Sequence, residues 1–181
     1  MFKKTKDSEF GFNAIFKGYT LYDFICDALF PAILGIALII TCTVTKADSL
    51  NIILTTTDLS INILPAILGL IVAGYTILVS FYWSDTAVKV KSLNKGSALL
   101  KSMNSDFALV ILFIILSLLY SIVLKIIISL EISFVYHDIV NYASLFALLF
   151  LLFFSLKILK DVVVDTYNIG QLSIKLTDKN K

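Results

Sequence analysis

The chain has 181 residues, of which 59% are hydrophobic and 15% are charged, whereas about 25% of the residues in an average soluble domain are charged. So few charges cannot give a domain of this length a polar surface, which excludes an ordinary water-soluble protein and favours lipid as the solvent. The net charge of +2 comes from lysine, and the chain contains no arginine. We therefore expect no direct nucleic-acid binding.

Four long apolar segments predict an all-α fold, a four-helix transmembrane bundle in which 1–181 form one membrane domain. Each segment is close to the roughly 20 residues that a helix needs to cross a bilayer core. The stretch 108–119 is apolar on every helical face, which leaves no polar stripe for water. The third segment includes Lys125, whose long side chain can reach the lipid surface. The predicted spans are 28–45, 59–84, 107–130 and 139–160.

Aromatic residues recur just before the first span, between Phe10 and Phe24. Such rings suit the headgroup layer of a membrane. We therefore expect a short N-terminal interfacial helix over 10–24. Phe81, Tyr82 and Trp83 mark the same interface at the end of the second span.

The distribution of lysine predicts the orientation. Thirteen of the 15 lysines lie before the first span, in the middle loop 85–106, or between Lys157 and the C-terminus. The other two, Lys46 and Lys125, lie one each at the two remaining connections, with Lys125 close to the end of the third span. Because lysine is enriched on the cytoplasmic side, we expect a multi-pass protein of the cell membrane. Both termini, the middle loop and the tail 161–181 would be cytoplasmic.

The first two spans carry prolines and small residues that predict close helix packing. Proline bends a helix because it lacks a backbone N–H, and small residues let a second helix approach closely. The same residues would also suit a hinge or a pore-lining helix. We expect them to form a seam either within the chain or between copies in a homo-oligomer. They are Pro31 and Gly35 in the first span and Pro65, Gly69, Ala73 and Gly74 in the second.

Three ionisable residues near the ends of spans are candidate site residues. Asp23 and Asp27 lie four residues apart on one helical face, where they could gather cations or relay protons. Alternatively, they are helix-start acids that interact with the helix dipole. His137, the only histidine, could bind a metal or sense pH, or lie in an ordinary polar turn. No ligand set of three or four residues is apparent, and we expect no metal and no cofactor.

The middle loop carries apolar residues among its lysines and serines, which fits two interpretations. One is an amphipathic surface helix interrupted at Gly96, and the other is a docking site for a cytosolic protein. The sequence has no HExxH, GxSxG or phosphate-loop motif, and we expect a non-enzymatic protein. The candidate docking residues are Leu93, Leu99, Leu100 and Met103.

The size, the four spans, the cytoplasmic ends and the short outer connections resemble the membrane subunit of bacterial Kiwa-type anti-phage defence systems. This is a resemblance of layout over the whole chain. It implies an oligomeric membrane sensor or scaffold that recruits a cytosolic effector through the middle loop and the tail. Two other functions fit the same sequence. One is a holin-like or toxin-like pore that depolarises the membrane, lined by small residues of the first two spans, and the other is a structural or assembly protein.

Overall fold

A computed structural model of the protein describes residues 21–92, 96–130 and 137–178. The regular elements in these ranges are helices: α1 (Leu21–Val44), α2 (Ser49–Tyr82), the short α3 (Asp85–Ser92), α4 (Gly96–Ser129) and α5 (His137–Asp178). Apart from α3, each is long and apolar enough to cross a membrane. The predicted all-α fold with four membrane-spanning helices is confirmed. The interfacial helix expected over 10–24 lies outside the described residues as far as residue 20, and residues 21–24 belong to α1.

A tight turn joins α1 to α2. Lys46 has a φ of 52°, a left-handed conformation that residues other than glycine rarely adopt. The carboxylate of Asp48 accepts a hydrogen bond from the N–H of Leu50 at 3.0 Å, which satisfies one of the free N–H groups in the first turn of α2. The end of the bundle that contains this turn is called the Lys46 end. The opposite end, which contains α3, is called the short-helix end.

The centre of the bundle lies between α2, α4 and α5, which pack against one another. Their buried apolar residues form a continuous core that includes Leu64, Phe107 and Phe154. The ring of Phe154 is fully buried, and its centroid lies 4.5 Å from that of Phe113 on α4. The first helix has a different position, because α1 packs principally against α5.

Three of the helices are longer than a bilayer requires. α2 and α4 have 34 residues each and α5 has 42, which correspond to about 51 and 63 Å, against a hydrocarbon core of about 30 Å. α1 has 24 residues, and its Asp27 already meets Lys157 of α5. Because α1 begins six residues before Asp27 and runs antiparallel to α5, α5 continues past the start of α1 from about residue 164 towards the short-helix end. There, Val162 and Ile169 join the same buried cluster as Val90 of α3.

The segments expected as a middle loop and a tail are helical wherever the structure describes them. Residues 85–92 form α3, and α4 begins at Gly96, eleven residues before the predicted third span. The tail continues α5 as far as Asp178. The short-helix end is thus a packed helical extension built from α3, the first turns of α4 and the last turns of α2 and α5.

Candidate functional site

A cluster of charged residues lies where α1 meets α5. The Lys157 ammonium donates to Asp27 of α1 at 3.0 Å and to Asp161 of α5 at 2.5 Å. Lys160 approaches Asp161 from the other side at 3.2 Å. The Lys157 and Asp27 side chains are only 23% and 25% exposed, so water screens this pair less than it screens a surface ion pair. The cluster therefore ties two helices together where their apolar stretches end.

Of the two predicted acidic residues on α1, Asp27 forms an ion pair with Lys157 of α5. Asp23 lies in the first turn of α1, as the helix-dipole interpretation expects. Among the described residues, no group of three or more His, Cys, Asp or Glu could hold a metal ion. His137 begins α5, but its side chain lies outside the described part of the chain.

The two packing residues predicted in the first span both lie against the protein. Pro31 is fully buried. A Cβ atom added at Gly35 would lie 3.4 Å from the ring of Phe146 on α5, which is the close approach that a glycine permits. Pro31 and Gly35 thus belong to a seam within the chain.

The residues predicted in the second span divide into two groups. A Cβ atom added at Gly74 would lie 3.7 Å from the ring of Phe107 on α4, whereas one added at Gly69 would meet no described atom within 4 Å. Pro65, Gly69 and Ala73 are exposed. Among the residues that the structure describes, no neighbouring helix makes the close approach that was expected at these three positions.

Gly69 and Ala73 belong to a longer exposed row of small and polar residues. Successive members lie four, three, four, three and four residues apart, which is the 3.5-residue repeat of helices that pack along a left-handed seam. All of them are exposed. We call this row the α2 seam face, and its members are Asn62, Ala66, Gly69, Ala73, Thr76 and Ser80.

The polar side chains of the α2 seam face differ in whether they form a hydrogen bond within the chain. Thr76 donates to the carbonyl of Val72 at 2.9 Å, and Ser80 donates to the carbonyl of Thr76 at 3.0 Å. No hydrogen bond joins the Asn62 amide to any residue that the structure describes. Asn62 lies inside a helix that is apolar enough to cross a membrane, so its amide would face lipid in a single chain.

The predicted docking residues lie in different environments. Leu100 and Met103 are buried in the core beside Phe107, so they cannot meet a partner unless the bundle opens. Leu99 is 37% exposed, and Leu93 lies outside the described residues. Helical periodicity explains the difference, because three or four positions separate residues on one face.

The extension of α5 carries an exposed apolar row that was not among the predicted site residues. Val163, Tyr167 and Ile174 are 60%, 65% and 56% exposed, and their spacing of four and seven residues places them on one helical face. Val162 and Ile169 on the other face are buried. The same periodicity in the tail sequence could have separated the two faces. We call Val163, Tyr167 and Ile174 the α5 tail face.

Three buried hydroxyl side chains form hydrogen bonds within their own helices. Thr57 and Ser60 of α2 and Ser121 of α4 are buried, and each donates to a carbonyl of its own helix at 2.8 Å. The antiparallel register set by the Asp58–Lys125 ion pair places Ser60 near the level of Ser121. Small hydroxyl residues at such positions let transmembrane helices pack closely.

No protein-family model, curated protein or solved structure matches the chain.

Proposed function

We propose that this chain is a non-enzymatic membrane protein that assembles with copies of itself and recruits a cytosolic protein. The observation that carries the proposal is the α2 seam face, because its residues suit contact with another helix better than contact with lipid. Small residues let helix backbones approach within van der Waals contact, which drives association where water supplies no hydrophobic force. Gly69 and Ala73 lie at the centre of this face.

Asn62 supports a second copy of the chain as the partner of this face. A primary amide carries both donors and acceptors, so two copies of Asn62 can bond to each other across a two-fold axis. Interhelical hydrogen bonds of this kind contribute about 1–2 kcal/mol in model peptides and about 0.6 kcal/mol on average in a natural membrane protein. One asparagine in a helix seam also fixes the register of the helices. Because Asn62 meets its own copy at one level of the seam, the two copies of α2 pack parallel to each other.

The lysine distribution supports a cytoplasmic short-helix end, which would place the α5 tail face in the cytosol. Its three exposed apolar side chains lie on a helix that is packed on its opposite side. Such a face suits a protein that brings an apolar groove to an amphipathic helix. The partner is therefore proposed to bind the extension of α5, with Leu99 as a further candidate contact.

The proposed setting is bacterial anti-phage defence, and it rests on the layout that the chain shares with the membrane subunit of Kiwa-type systems. In this setting the assembled membrane domain would sense a change at the membrane and hold the effector at the inner surface. The assembly and the recruitment can be tested without reference to that setting.

The recruitment is tested by affinity capture from mild-detergent extracts of the native host. We expect a cytosolic protein to copurify with the wild type and to be lost with Tyr167→Glu. The control is Asn168→Asp, because Asn168 is exposed on the same turn of α5 but faces away from the α5 tail face. Recovery of the same protein with all three chains would contradict docking at this face.

A pore is the second candidate function, and the α2 seam face is also the observation that favours it. If several copies assembled around an axis, Asn62, Thr76 and Ser80 would line a polar channel instead of a closed seam. A pore depolarises cells that express the chain alone, whereas a recruiting scaffold does not. A voltage-sensitive dye distinguishes the two, with Gly69→Leu at matched membrane levels as the control.

A further inference from the structure

The first helix is attached to the bundle in an unusual way. α2, α4 and α5 each pack against several helices, whereas α1 packs principally against α5. Most of its large apolar side chains are exposed, including Leu29, Phe30 and Ile33. The position of α1 therefore depends mainly on its packing against α5.

Those contacts lie on both sides of Pro31. After Pro31, Gly35 lies against the ring of Phe146. Before Pro31, the ring of Phe24 meets the ring of Phe154 edge-on, with centroids 5.4 Å apart, and Asp27 accepts a hydrogen bond from Lys157 at 3.0 Å. The contacts of α1 before Pro31 thus include an aromatic contact, an ion pair and the packing of Ala28 against the core.

Pro31 supplies a hinge between these two parts. A residue in a helix normally donates its N–H to the carbonyl four residues earlier, and proline has no N–H to donate. The carbonyl of Asp27 therefore receives no such bond from residue 31. Sharp kinks in helices occur at proline for this reason. The carbonyl that lacks this helical hydrogen bond belongs to Asp27, whose side chain forms the ion pair with Lys157.

Lys157 has a second carboxylate partner besides Asp27. Lys157 is shared between Asp27 and Asp161, and Asp161 has a second lysine, Lys160, at 3.2 Å. If Asp27 moved away, Lys157 would keep Asp161 as a partner, and no unpaired lysine would be left at the edge of the apolar region. Removal of one partner from a buried ion pair normally leaves an uncompensated charge, and this arrangement avoids that on the α5 side.

We propose that residues 21–30 of α1 form a hinged arm that the Lys157–Asp27 ion pair latches against α5. Release of the latch uncovers the Phe154 ring at the point where Phe24 now covers it. This inference concerns motion inside one chain and goes beyond the proposed assembly and recruitment, since neither requires α1 to move.

The arm from residue 21 to the hinge is about 15 Å long at 1.5 Å per residue. A rotation of about 20°, the size of a sharp helix kink, moves its end by about 5 Å. Distances between two spin labels, measured by pulsed electron spin resonance in nanodiscs, resolve a shift of this size. One label is placed on Tyr22→Cys, a 75% exposed position near the end of the arm, and the other on Val164→Cys, which lies on an exposed position of α5. The background carries Cys26→Ser and Cys42→Ser, and unlabelled chains dilute the labelled ones so that only distances within one chain contribute.

The wild type is expected to give one narrow distance distribution. Lys157→Gln is expected to add a component shifted by about 5 Å or more, and Lys160→Gln, the matched control, is expected to match the wild type because Lys160 contacts only Asp161 in this cluster. Asp27→Lys combined with Lys157→Asp should restore the narrow distribution. Circular dichroism and elution as a single species establish that each variant is folded.

A second variant separates a hinge from general loosening. Pro31→Ala restores the missing N–H, so adding it to Lys157→Gln should reduce the shifted component. The proposal is overturned if Lys157→Gln gives the wild-type distribution, if Lys160→Gln has the same effect as Lys157→Gln, or if Pro31→Ala leaves the shifted component unchanged. Each of these results is independent of whether the chain assembles or binds a cytosolic protein.

Discussion

Two glycines on neighbouring spans are expected to respond in opposite ways to the same substitution. Gly35 lies against Phe146, whereas Gly69 has no described atom within 4 Å of an added Cβ. Gly35→Leu should therefore destabilise the single chain, and Gly69→Leu should leave the single chain folded while it weakens assembly. The pair tests whether the α2 seam face is used between chains or only faces lipid.

The expected magnitudes follow from these contacts. At Gly35 the first added carbon already lies in contact with the Phe146 ring at 3.4 Å, so the further carbons of leucine require the side chains there to repack, at a cost of about 1–3 kcal/mol. At Gly69 leucine meets open space in the single chain and gains up to about 1 kcal/mol of helix propensity. Between two copies the same leucine forces the backbones apart, and a cost of about 1–3 kcal/mol raises the dissociation constant of the assembly roughly 5- to 150-fold.

Stability is measured by reversible unfolding in mixed micelles of a mild detergent and dodecyl sulfate, and assembly by energy transfer between labelled chains in vesicles. Gly35→Leu should lower the unfolding midpoint, while Gly69→Leu should lower energy transfer at an unchanged or higher midpoint. The reasoning is refuted if Gly69→Leu destabilises the fold as Gly35→Leu does, or if energy transfer is the same for Gly69→Leu and the wild type.

Two further predictions concern the stability of the bundle. Phe154→Ala removes a fully buried ring that contacts three other aromatic rings, and it should lower the free energy of unfolding by about 3 kcal/mol; a loss below about 1 kcal/mol would show that the core collapses around the cavity. Tyr82→Phe removes a 2.9 Å hydrogen bond from the Tyr82 hydroxyl to the carbonyl of Leu100 and should cost about 1 kcal/mol. An unchanged midpoint in the same unfolding assay would mean that the Leu100 carbonyl finds another donor.

The number and type of the long helices could be predicted because a long, uninterrupted apolar stretch indicates a membrane-spanning helix. Their ends could not, and Asp58 explains why. A charge-free window starts the second span after Asp58, whereas α2 begins at Ser49. Asp58 is accommodated in the helix beside Lys125, 2.5 Å away across the bundle. A partner 67 residues away in sequence cannot be read from local composition. The same holds for Asp27 and Lys157.

The candidate sites were predictable as residue types but not as surfaces. Gly35 and Gly69 look alike in the sequence, and only the rotation of each helix decides that one contacts Phe146 while the other faces outward. Leu99 and Leu100 are adjacent, yet only Leu100 is buried. The exposed side of a helix that is apolar on every face depends on which neighbours pack against it, and the periodicity of one segment does not contain that information.

The central claim, that α2 packs against its own copy, is tested most directly by disulfide cross-linking in native membranes. The natural cysteines are first removed by Cys26→Ser and Cys42→Ser. Single cysteines are then introduced one at a time as Asn62→Cys, Gly69→Cys and Thr76→Cys. Ile63→Cys is the control, because Ile63 is also exposed but points about 100° away from Asn62 on the helix. We predict that the three seam positions form covalent dimers under mild oxidation and that the control does not. Equal cross-linking at all four positions, or none at the seam, would contradict the account.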